Sequence, residues 1–398
     1  MSFDAENRRA QNGNAVGGAE GAIRAASTRR DGANAVADLR AGLGPGPFAL
    51  VLTFVSERRD REAFARALDG AFGDAPVIGA CTPGEIGPDG AVTGSITALA
   101  LPASGFSASV RLVEKLPSFR RTEGEAMARS MLGELARDAG ERRPNRFGVM
   151  LSDAAAMREE ALAFAFGGGL EGAPLVGGSC APGDGVGQGF VLADGRFCAS
   201  SAAVAYLATD MGLEALRIDH YEATETRAVI TACDADDRTV RELNGEPAAE
   251  EYARLAGLDL ASLGPSAFAA HPLVVSVSGT THARGIRAAL DDGALTFSAA
   301  VQEGMVLRFA RPRNLAAELE QRLDALRTSG AAPAAVLAFD DMLRRHEAEA
   351  AQTGARVSDI LARSNAVGFA SWGEQSGRLH SSGSFVGLSL RPPQAEAD

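Results

Sequence analysis

Three stretches of the chain share one pattern, in which an apolar run, an amphipathic segment and a second apolar run lead into a glycine-rich turn. They cover residues 48–85, 147–184 and 334–374. Matching positions of the two apolar runs lie 27, 27 and 30 residues apart, counted from Val51 to Ile78, Val149 to Val176 and Leu337 to Val367. A strand, a helix and a second strand of this combined length form a βαβ unit with parallel strands. The pattern therefore predicts three such units as an internal repeat.

The fold class follows from the same runs. Segments that are apolar throughout are typical of strands covered on both faces, and a further strand-like segment follows each turn. We predict an α/β fold in which repeated βαβ units form mixed sheets covered by helices, in two domains. The predicted bounds are a flexible tail over 1–25, domains over 26–240 and 241–392, and a tail over 393–398.

The turns that close the repeats are the first place to look for a ligand, because ligands of such sheets bind beyond the carboxyl ends of the strands. Gly79, Gly177 and Gly368 allow close backbone approach or a positive φ there. Glu85 and Glu374 follow in the first and third turns, where either carboxylate could bind a ligand amine or pair with an arginine. The alternative is that both are solvated turn residues.

Charge and composition exclude several classes of protein. The net charge of −12, from 39 basic and 51 acidic residues, disfavours nucleic acid as a partner because phosphate binding needs a basic surface. Lys115 is the single lysine, and the absence of Gly-Lys-Ser/Thr excludes a P-loop. The four cysteines form no CxxC pair, so we expect neither a disulfide framework nor a structural zinc site. Without a signal peptide or a long apolar run, we expect a cytoplasmic protein with no membrane insertion.

Two motifs resemble catalytic or nucleotide-binding sequences without their structural context. Residues 167–172 match GxGxxG, but they follow a helix and precede a strand, which reverses the order of the dinucleotide fingerprint. Residues 177–181 approximate a nucleophile elbow, although a loop and not a helix follows them. A hydrolase that uses Ser179 or Cys180 is kept as a remote alternative. Apart from this alternative, we expect that the protein is not an enzyme, because the sequence shows no nucleophile–base pair.

Histidine is scarce in this chain, with five residues and no paired spacing of a protein-only metal centre. A haem iron needs only one axial histidine beside an apolar slot. His380 follows the third turn and His346 lies on the predicted helix of the third repeat, which makes these two the candidates. The alternative for each is a surface histidine or one held by hydrogen bonds.

The turn sequences APVIGACTPGEI, APLVGGSCAPGD and AVGFASWGEQ resemble the FIST sensory family, which has an N-terminal and a C-terminal FIST domain. The segments LTFSAAVQEGMVLRFA, FDDMLRRHEAE and GFASWGEQSGRLHSSGSFVG look like its NosP branch of haem-binding nitric-oxide sensors. The resemblance covers nearly all of residues 26–390. It implies a bacterial cytoplasmic sensor that binds haem b and regulates a partner histidine kinase or cyclic-di-GMP enzyme. The implied haem contacts are His380 as iron ligand, His346, Arg344, Arg345 and Trp372.

Two functions therefore compete. The first is a haem-based nitric-oxide sensor, in which release of the axial histidine changes a protein–protein surface. The alternative is a haem-free FIST sensor of a small molecule such as an amino acid, held at the turns by Glu85, Glu374 and Arg284 with Gly79 and Gly368. A homodimer is compatible with either.

Overall fold

The computed structural model describes residues 22–139, 142–277 and 280–393. Residues 1–21 and 394–398, which hold most of the two predicted tails, lie outside this range. Among the described residues, no helix is long and apolar enough to cross a membrane.

Two repeats of equal element order build the N-terminal half. The first consists of β1 (Arg24–Thr28), α1 (Gly32–Leu43), β2 (Phe48–Ser56), α2 (Arg61–Ala67), β3 (Val77–Thr82), β4 (Glu85–Gly87), β5 (Gly90–Val92) and β6 (Ile96–Pro102). The second consists of β7 (Phe106–Val113), α3 (Arg121–Ala139), β8 (Asn145–Asp153), α4 (Glu159–Gly169), β9 (Leu175–Cys180), β10 (Val191–Ala193), β11 (Arg196–Cys198) and β12 (Ala202–Thr209).

The third repeat starts with β13 (Gly212–Ile218), and a separate β-rich unit then interrupts it. This unit, residues 219–313, is called the insert. It contains β14 (Tyr221–Asp234), β15 (Thr239–Leu243), β16 (Glu246–Pro247), α5 (Ala248–Ala256), α6 (Pro265–Ala270), β17 (Leu273–Val277), β18 (Thr280–Arg284), β19 (Ile286–Ala289), β20 (Leu295–Phe297) and β21 (Val306–Pro312). The repeat resumes with α7 (Leu315–Thr328), β22 (Ala335–Asp341), α8 (Met342–Ala350), α9 (Gly354–Arg363), β23 (Ala366–Ser371), β24 (Glu374–Ser376), β25 (Leu379–Ser381) and β26 (Phe385–Arg391).

The repeat pattern correctly predicts the central strand pairs. β2 and β3, β8 and β9, and β22 and β23 each pair in parallel across a connecting helix or helices. In each repeat a last antiparallel strand joins the first of the pair, namely β6, β12 or β26. The sheets are therefore mixed and flanked by helices, which confirms the predicted α/β class.

The three repeats interlock by exchanging hairpins. The hairpin β4–β5 of the first repeat extends the third sheet through β23. The hairpin β10–β11 of the second repeat extends the first sheet through β3, and β24–β25 of the third extends the second sheet through β9. Each sheet thus has six strands and contains a piece of its neighbour, so no repeat completes its sheet alone.

The inner faces of these three sheets meet in one apolar core. Phe54 from β2 and Phe369 from β23 have ring centroids 5.3 Å apart, and Phe339 from β22 lies 5.5 Å from Phe369. The outer faces are buried by α1 and α2, by α3 and α4, and by α7 and α9. The central parallel strands of the three repeats therefore have apolar neighbours on both faces, which explains their continuous apolar runs.

The insert has its own sheet and core and returns close to where it leaves. Tyr221 at its start pairs with Pro312 at its end, and the sheet order is β18-β17-β21-β14-β15-β20-β19 with β16 on β15. The boundary near residue 240 falls in β15 and stays a prediction.

Candidate functional site

The acid of the first turn, Glu85, is fully buried. One carboxylate oxygen accepts a hydrogen bond from the Thr82 hydroxyl at 2.7 Å, and the other accepts the Ser95 N–H and hydroxyl, both at 2.9 Å. Burial raises the pKa of Glu85, while these hydrogen bonds oppose the rise. The carboxylate therefore ties the end of β3 to the start of β6 across the hairpin.

The acid of the third turn, Glu374, repeats this arrangement. It is fully buried and accepts the hydroxyl of Ser371 at 2.6 Å, together with the N–H of Ser384 at 3.3 Å and its hydroxyl at 2.9 Å. Burial and the nearby Asp341 carboxylate raise its pKa well above the ordinary range. Neither Glu374 nor Glu85 is a solvated turn residue, and each already has three hydrogen-bond donors from the protein.

The second turn departs from the other two. Its hairpin strand starts at Val191, which pairs opposite Ala80 at the register position that Glu85 and Glu374 hold in their sheets. Asp184, the acid in its sequence motif, is exposed. The carboxylate that ties this turn to its neighbours is instead Asp153 at the end of β8. Its oxygens accept the N–H groups of residues 155, 189 and 200 at 2.8–2.9 Å.

The glycines of the three turns serve the contact between parallel strands. A Cβ added at Gly79 would collide with the carbonyl oxygen of Thr53, and one at Gly368 with that of Ala338. Gly177 stands in the same position against β8. These glycines do not have a positive φ, so the close backbone approach is the property that requires them. Ligand contact at Gly79 and Gly368 stays a prediction.

A cavity of about 230 Å³ lies beside α8, at the carboxyl ends of β22 and β23, and is called the α8 cavity. The hairpin β4–β5 of the first repeat forms its opposite wall. Its lining residues are Glu85, Ile86, Ala91, Asp340, Arg344, Arg345, Ala348, Glu349, Gly354, Val357 and Ala370. Three residues predicted from the sequence, Glu85, Arg344 and Arg345, are thus brought together, with an apolar wall next to charged groups.

Arg345 lies at the partly exposed side of this cavity. Its Nε atom pairs with Glu349 at 3.1 Å, and its Nη2 atom donates to the Thr93 hydroxyl at 2.6 Å. The side chain is 27% exposed, so the guanidinium remains within reach of solvent and of a solute. Arg345 therefore supplies a cation to the cavity.

Arg344 is fully buried and links the α8 cavity to the insert. Its Nε atom donates to Asp340 at 2.5 Å, and its Nη1 atom donates to Nδ1 of His220 at 2.9 Å. Nε2 of His220 lies 2.6 Å from the Glu347 carboxylate. Because Nδ1 accepts from a guanidinium, we assign the proton of the neutral ring to Nε2. This series of hydrogen bonds, which joins Asp340, Arg344, His220 and Glu347, is called the His220 anchor.

Burial and charge set the protonation of this anchor. Burial lowers the pKa of His220 to about 2, and the nearby Arg344 and Arg313 add to the effect. Burial also raises the pKa of Glu347 to about 7, which Arg344 opposes and Asp340 reinforces. The anchor therefore combines a histidine that stays neutral with a carboxyl group that titrates near neutral pH.

A second contact, called the Arg238 anchor, holds the insert to the second repeat. The Nη2 atom of Arg238 lies 2.5 Å from carboxylate oxygens of both Glu159 and Glu160, and Nη1 donates to the Ser298 carbonyl at 2.8 Å. Arg238 and Glu159 are buried, with side chains 3% and 1% exposed. Neither this anchor nor the one at His220 was predicted from the sequence.

The surroundings of His380 do not fit a haem ligand. Its Nδ1 atom lies 3.1 Å from Nε2 of Gln375, and its Nε2 atom lies 3.0 Å from the carbonyl oxygen of Ser298. A ring nitrogen that donates to a carbonyl has no lone pair to give to iron. The ring is buried and packs so tightly on Gly373 that even a Cβ there would collide with it.

The other predicted haem and ligand residues belong to different elements, since Trp372 follows β23, His346 lies on α8 and Arg284 lies on β18. Trp372 is buried, and its Nε1 atom donates to the Pro182 carbonyl at 2.8 Å. His346 on α8 is 22% exposed, and its Nε2 atom has no hydrogen-bond partner among the described residues. Arg284 on β18 is half-buried and donates to its neighbour's carbonyl. The described residues contain no cluster of His, Cys, Asp or Glu suited to a metal ion.

The residues of the hydrolase alternative are both buried. The Ser179 hydroxyl lies 3.1 Å from that of Ser152 and accepts from Gln375 at 2.9 Å. Burial raises the pKa of the Cys180 thiol well above its ordinary value, with Asp153 adding to the rise. A nucleophile needs exposure and a lowered pKa or an adjacent base, and these two side chains have neither in the described part of the chain.

Comparison with known protein families identifies two matches. A family model described as the FIST N domain matches residues 49–246, and one described as the FIST C domain matches residues 248–377. No curated protein matches the chain.

Proposed function

Because the chain belongs to the FIST family, whose domains are signal-transduction sensor domains, we propose that it senses a small molecule of the amino-acid class that binds in the α8 cavity. The observation that supports this proposal is the cavity itself, where charged and apolar side chains meet at the carboxyl ends of parallel strands. Its volume of about 230 Å³ is below the roughly 300 Å³ at which pockets for drug-sized ligands begin. The ligand must therefore be small.

The lining suggests which chemical groups the ligand carries. The Nη1 atom of Arg345 makes no hydrogen bond among the described residues and is placed to donate to a ligand carboxylate, which would form a strong, charge-assisted hydrogen bond. Asp340 gives one oxygen to Arg344 and is placed to accept an ammonium group. Ile86 and Val357 on the cavity wall suit a short apolar side chain. Carboxylate, ammonium and apolar groups on one small molecule describe an amino acid.

The His220 anchor offers a route from the cavity to the insert. A ligand ammonium at Asp340 would compete with the Arg344 guanidinium for the same carboxylate. Arg344 also holds His220, at the start of the insert, so a change at Asp340 would alter how the insert is attached. A ligand that prefers one attachment shifts the protein towards it. We propose that a histidine kinase or a cyclic-di-GMP enzyme reads this change.

Calorimetry with each standard amino acid tests the ligand. We expect one amino acid to bind the wild type and to raise its Tm, because a ligand at 100 times its Kd stabilises the native state by about 2.7 kcal/mol. Ala348→Leu fills the cavity and should abolish binding, and Arg345→Ala should weaken it about tenfold or more. Arg308→Ala, which removes a similarly exposed guanidinium from an ion pair in the insert, is the control and should bind normally. Binding that survives Ala348→Leu would contradict the proposed site.

Haem-based sensing of nitric oxide is the second proposal, and it is supported by the Nε2 atom of His346, which has no hydrogen-bond partner in the part of the chain that the structure describes. Bound haem would supply an iron that takes up nitric oxide. Titration of the protein with haem should then produce a Soret band that shifts with nitric oxide and is lost in His346→Ala. The His380→Ala variant separates the two candidate ligands, because its Soret band should be that of the wild type. A wild type without specific haem binding rejects this proposal.

A further inference from the structure

The insert carries an apolar groove on its surface. The groove has a volume of about 360 Å³ and lies between α5, the segment after it and the β19–β20 turn. Its apolar lining includes Leu260, Leu263 and Leu290. Leu260 is 50% exposed and Leu290 is 41% exposed. These are two of six large hydrophobic side chains exposed in the described part of the chain, and they line the same concavity. Exposed apolar side chains gathered in a groove mark an interaction site.

The rim of this groove is acidic. Glu250, Asp291 and Asp292 line it, and no basic side chain is among its described lining residues. Asp292 pairs with Arg241 at 3.4 Å, but both side chains are 58% exposed, and such exposed pairs contribute little. The groove therefore presents a leucine floor within a negative rim, and it is called the acidic groove.

The negative charge of the acidic groove indicates which class of partner could bind there. A second copy docked through the same face would bring two acidic rims together, and an anionic membrane surface would be repelled in the same way. A basic segment would neutralise the rim while its apolar side chains cover the leucines. Amphipathic helices meet both requirements, because residues three and four positions apart share one face.

We propose that the acidic groove binds an amphipathic helix of a partner protein, which places a leucine-type side chain between Leu260 and Leu290 and basic side chains against Glu250, Asp291 and Asp292. The interaction surface is distinct from the α8 cavity and does not depend on the ligand that the cavity binds. It assigns to the insert the contact with the partner.

Fluorescence anisotropy with a labelled amphipathic helix of leucine and lysine tests the groove in the full chain. We expect the probe to bind the wild type, and the double variant Leu260→Ser/Leu290→Ser to weaken binding about tenfold or more, because the apolar anchors carry most of the energy of such an interface. The variant Asp291→Asn/Asp292→Asn should weaken binding at low salt, with a smaller difference at high salt. Circular dichroism confirms that the variants, all at exposed positions, keep the fold.

Two controls separate the groove from general attraction to an acidic protein. Leu379→Ser replaces a leucine that is 56% exposed outside the groove, and Asp74→Asn/Asp138→Asn removes two exposed acids elsewhere. Both should leave the affinity within about twofold of the wild type. The proposal is overturned if the controls weaken binding as much as the groove variants, or if the wild type does not bind the probe. Sedimentation that shows a dimer lost in Leu260→Ser/Leu290→Ser would also overturn it, in favour of a second copy.

Discussion

Two of the contacts that hold the insert to the repeats differ in their chemistry. At the Arg238 anchor, one guanidinium faces the carboxylates of Glu159 and Glu160. At the His220 anchor, a neutral imidazole lies between Arg344 and the titratable Glu347. Of these two anchors, only the second shares residues with the α8 cavity, namely Asp340 and Arg344. The Arg238 anchor joins the two parts through directly paired charges, whereas we propose that the polar chain through His220 responds to the cavity.

The largest effect is expected from Arg238→Ala, which should lower the free energy of unfolding by about 4 kcal/mol. The reason is that Glu159 would be left buried without its cation, and removing one partner of a buried pair typically costs 3–5 kcal/mol. Urea denaturation measures the loss. Arg241→Ala, in an exposed pair with Asp292, is the control and should cost less than about 1 kcal/mol. Equal losses in the two variants would show that the Arg238 anchor does not hold the insert.

Replacement of His220 by alanine should cost about 3 kcal/mol, since Arg344 and Glu347 would each lose a buried hydrogen-bond partner. A second measurement on this variant, its affinity for the amino acid, tests whether the His220 anchor differs from the Arg238 anchor. His220→Ala should change that affinity, because Arg344, which lines the cavity and donates to Asp340, would lose the contact that fixes the other end of its guanidinium. Arg238→Ala should leave it unchanged at a temperature where both variants are folded. The same change of affinity in both variants would remove the proposed distinction between the anchors.

The local sequence pattern was sufficient to predict the repeats, but it did not predict these two anchors. The parallel strand pairs were predictable because each βαβ unit brings together residues about 30 positions apart, and the apolar runs repeat three times. Arg238 and Glu159 are 79 residues apart, and His220 and Glu347 are 127 residues apart. No periodicity in the sequence relates these residues, because only the packing of the insert against the repeats brings them together. Several strands next to them, β13, β14 and β18, were missed as well.

The turns show a different limit of the sequence analysis. Glu85 and Glu374 were predicted from the sequence as ligand residues, and in the structure both are buried and tied to the next strand. Their partners stand at fixed distances, with a hydroxyl three residues before and a serine ten residues after each glutamate. That repeated spacing was the available signal for a structural role. The exposed Asp184 lacks it, and no position in the sequence indicates that Asp153 takes its place.

The smallest effect is expected at Glu347 and depends on pH. Burial raises the pKa of Glu347 from its ordinary value of 4.5 to about 7. In the folded protein this carboxyl group keeps a proton that the unfolded chain releases, so its contribution to stability falls as the pH rises from 4.5 to 7. Glu347→Gln mimics the protonated group and removes this dependence. We therefore expect the variant and the wild type to have similar free energies of unfolding at pH 4.5. At pH 7.5 the free energy of unfolding of the variant should exceed that of the wild type by about 2 kcal/mol.

Urea denaturation across this pH range measures the difference, with Glu349→Gln, an exposed position on the same helix, as the control. The titratable and charged groups near Glu347 include His220, Tyr221, Arg344 and Asp340. A difference that is constant with pH would mean that Glu347 stays charged in the folded protein. The two anchors would then be alike in chemistry, and the His220 anchor would have no property that suits it better than the Arg238 anchor to transmit a signal.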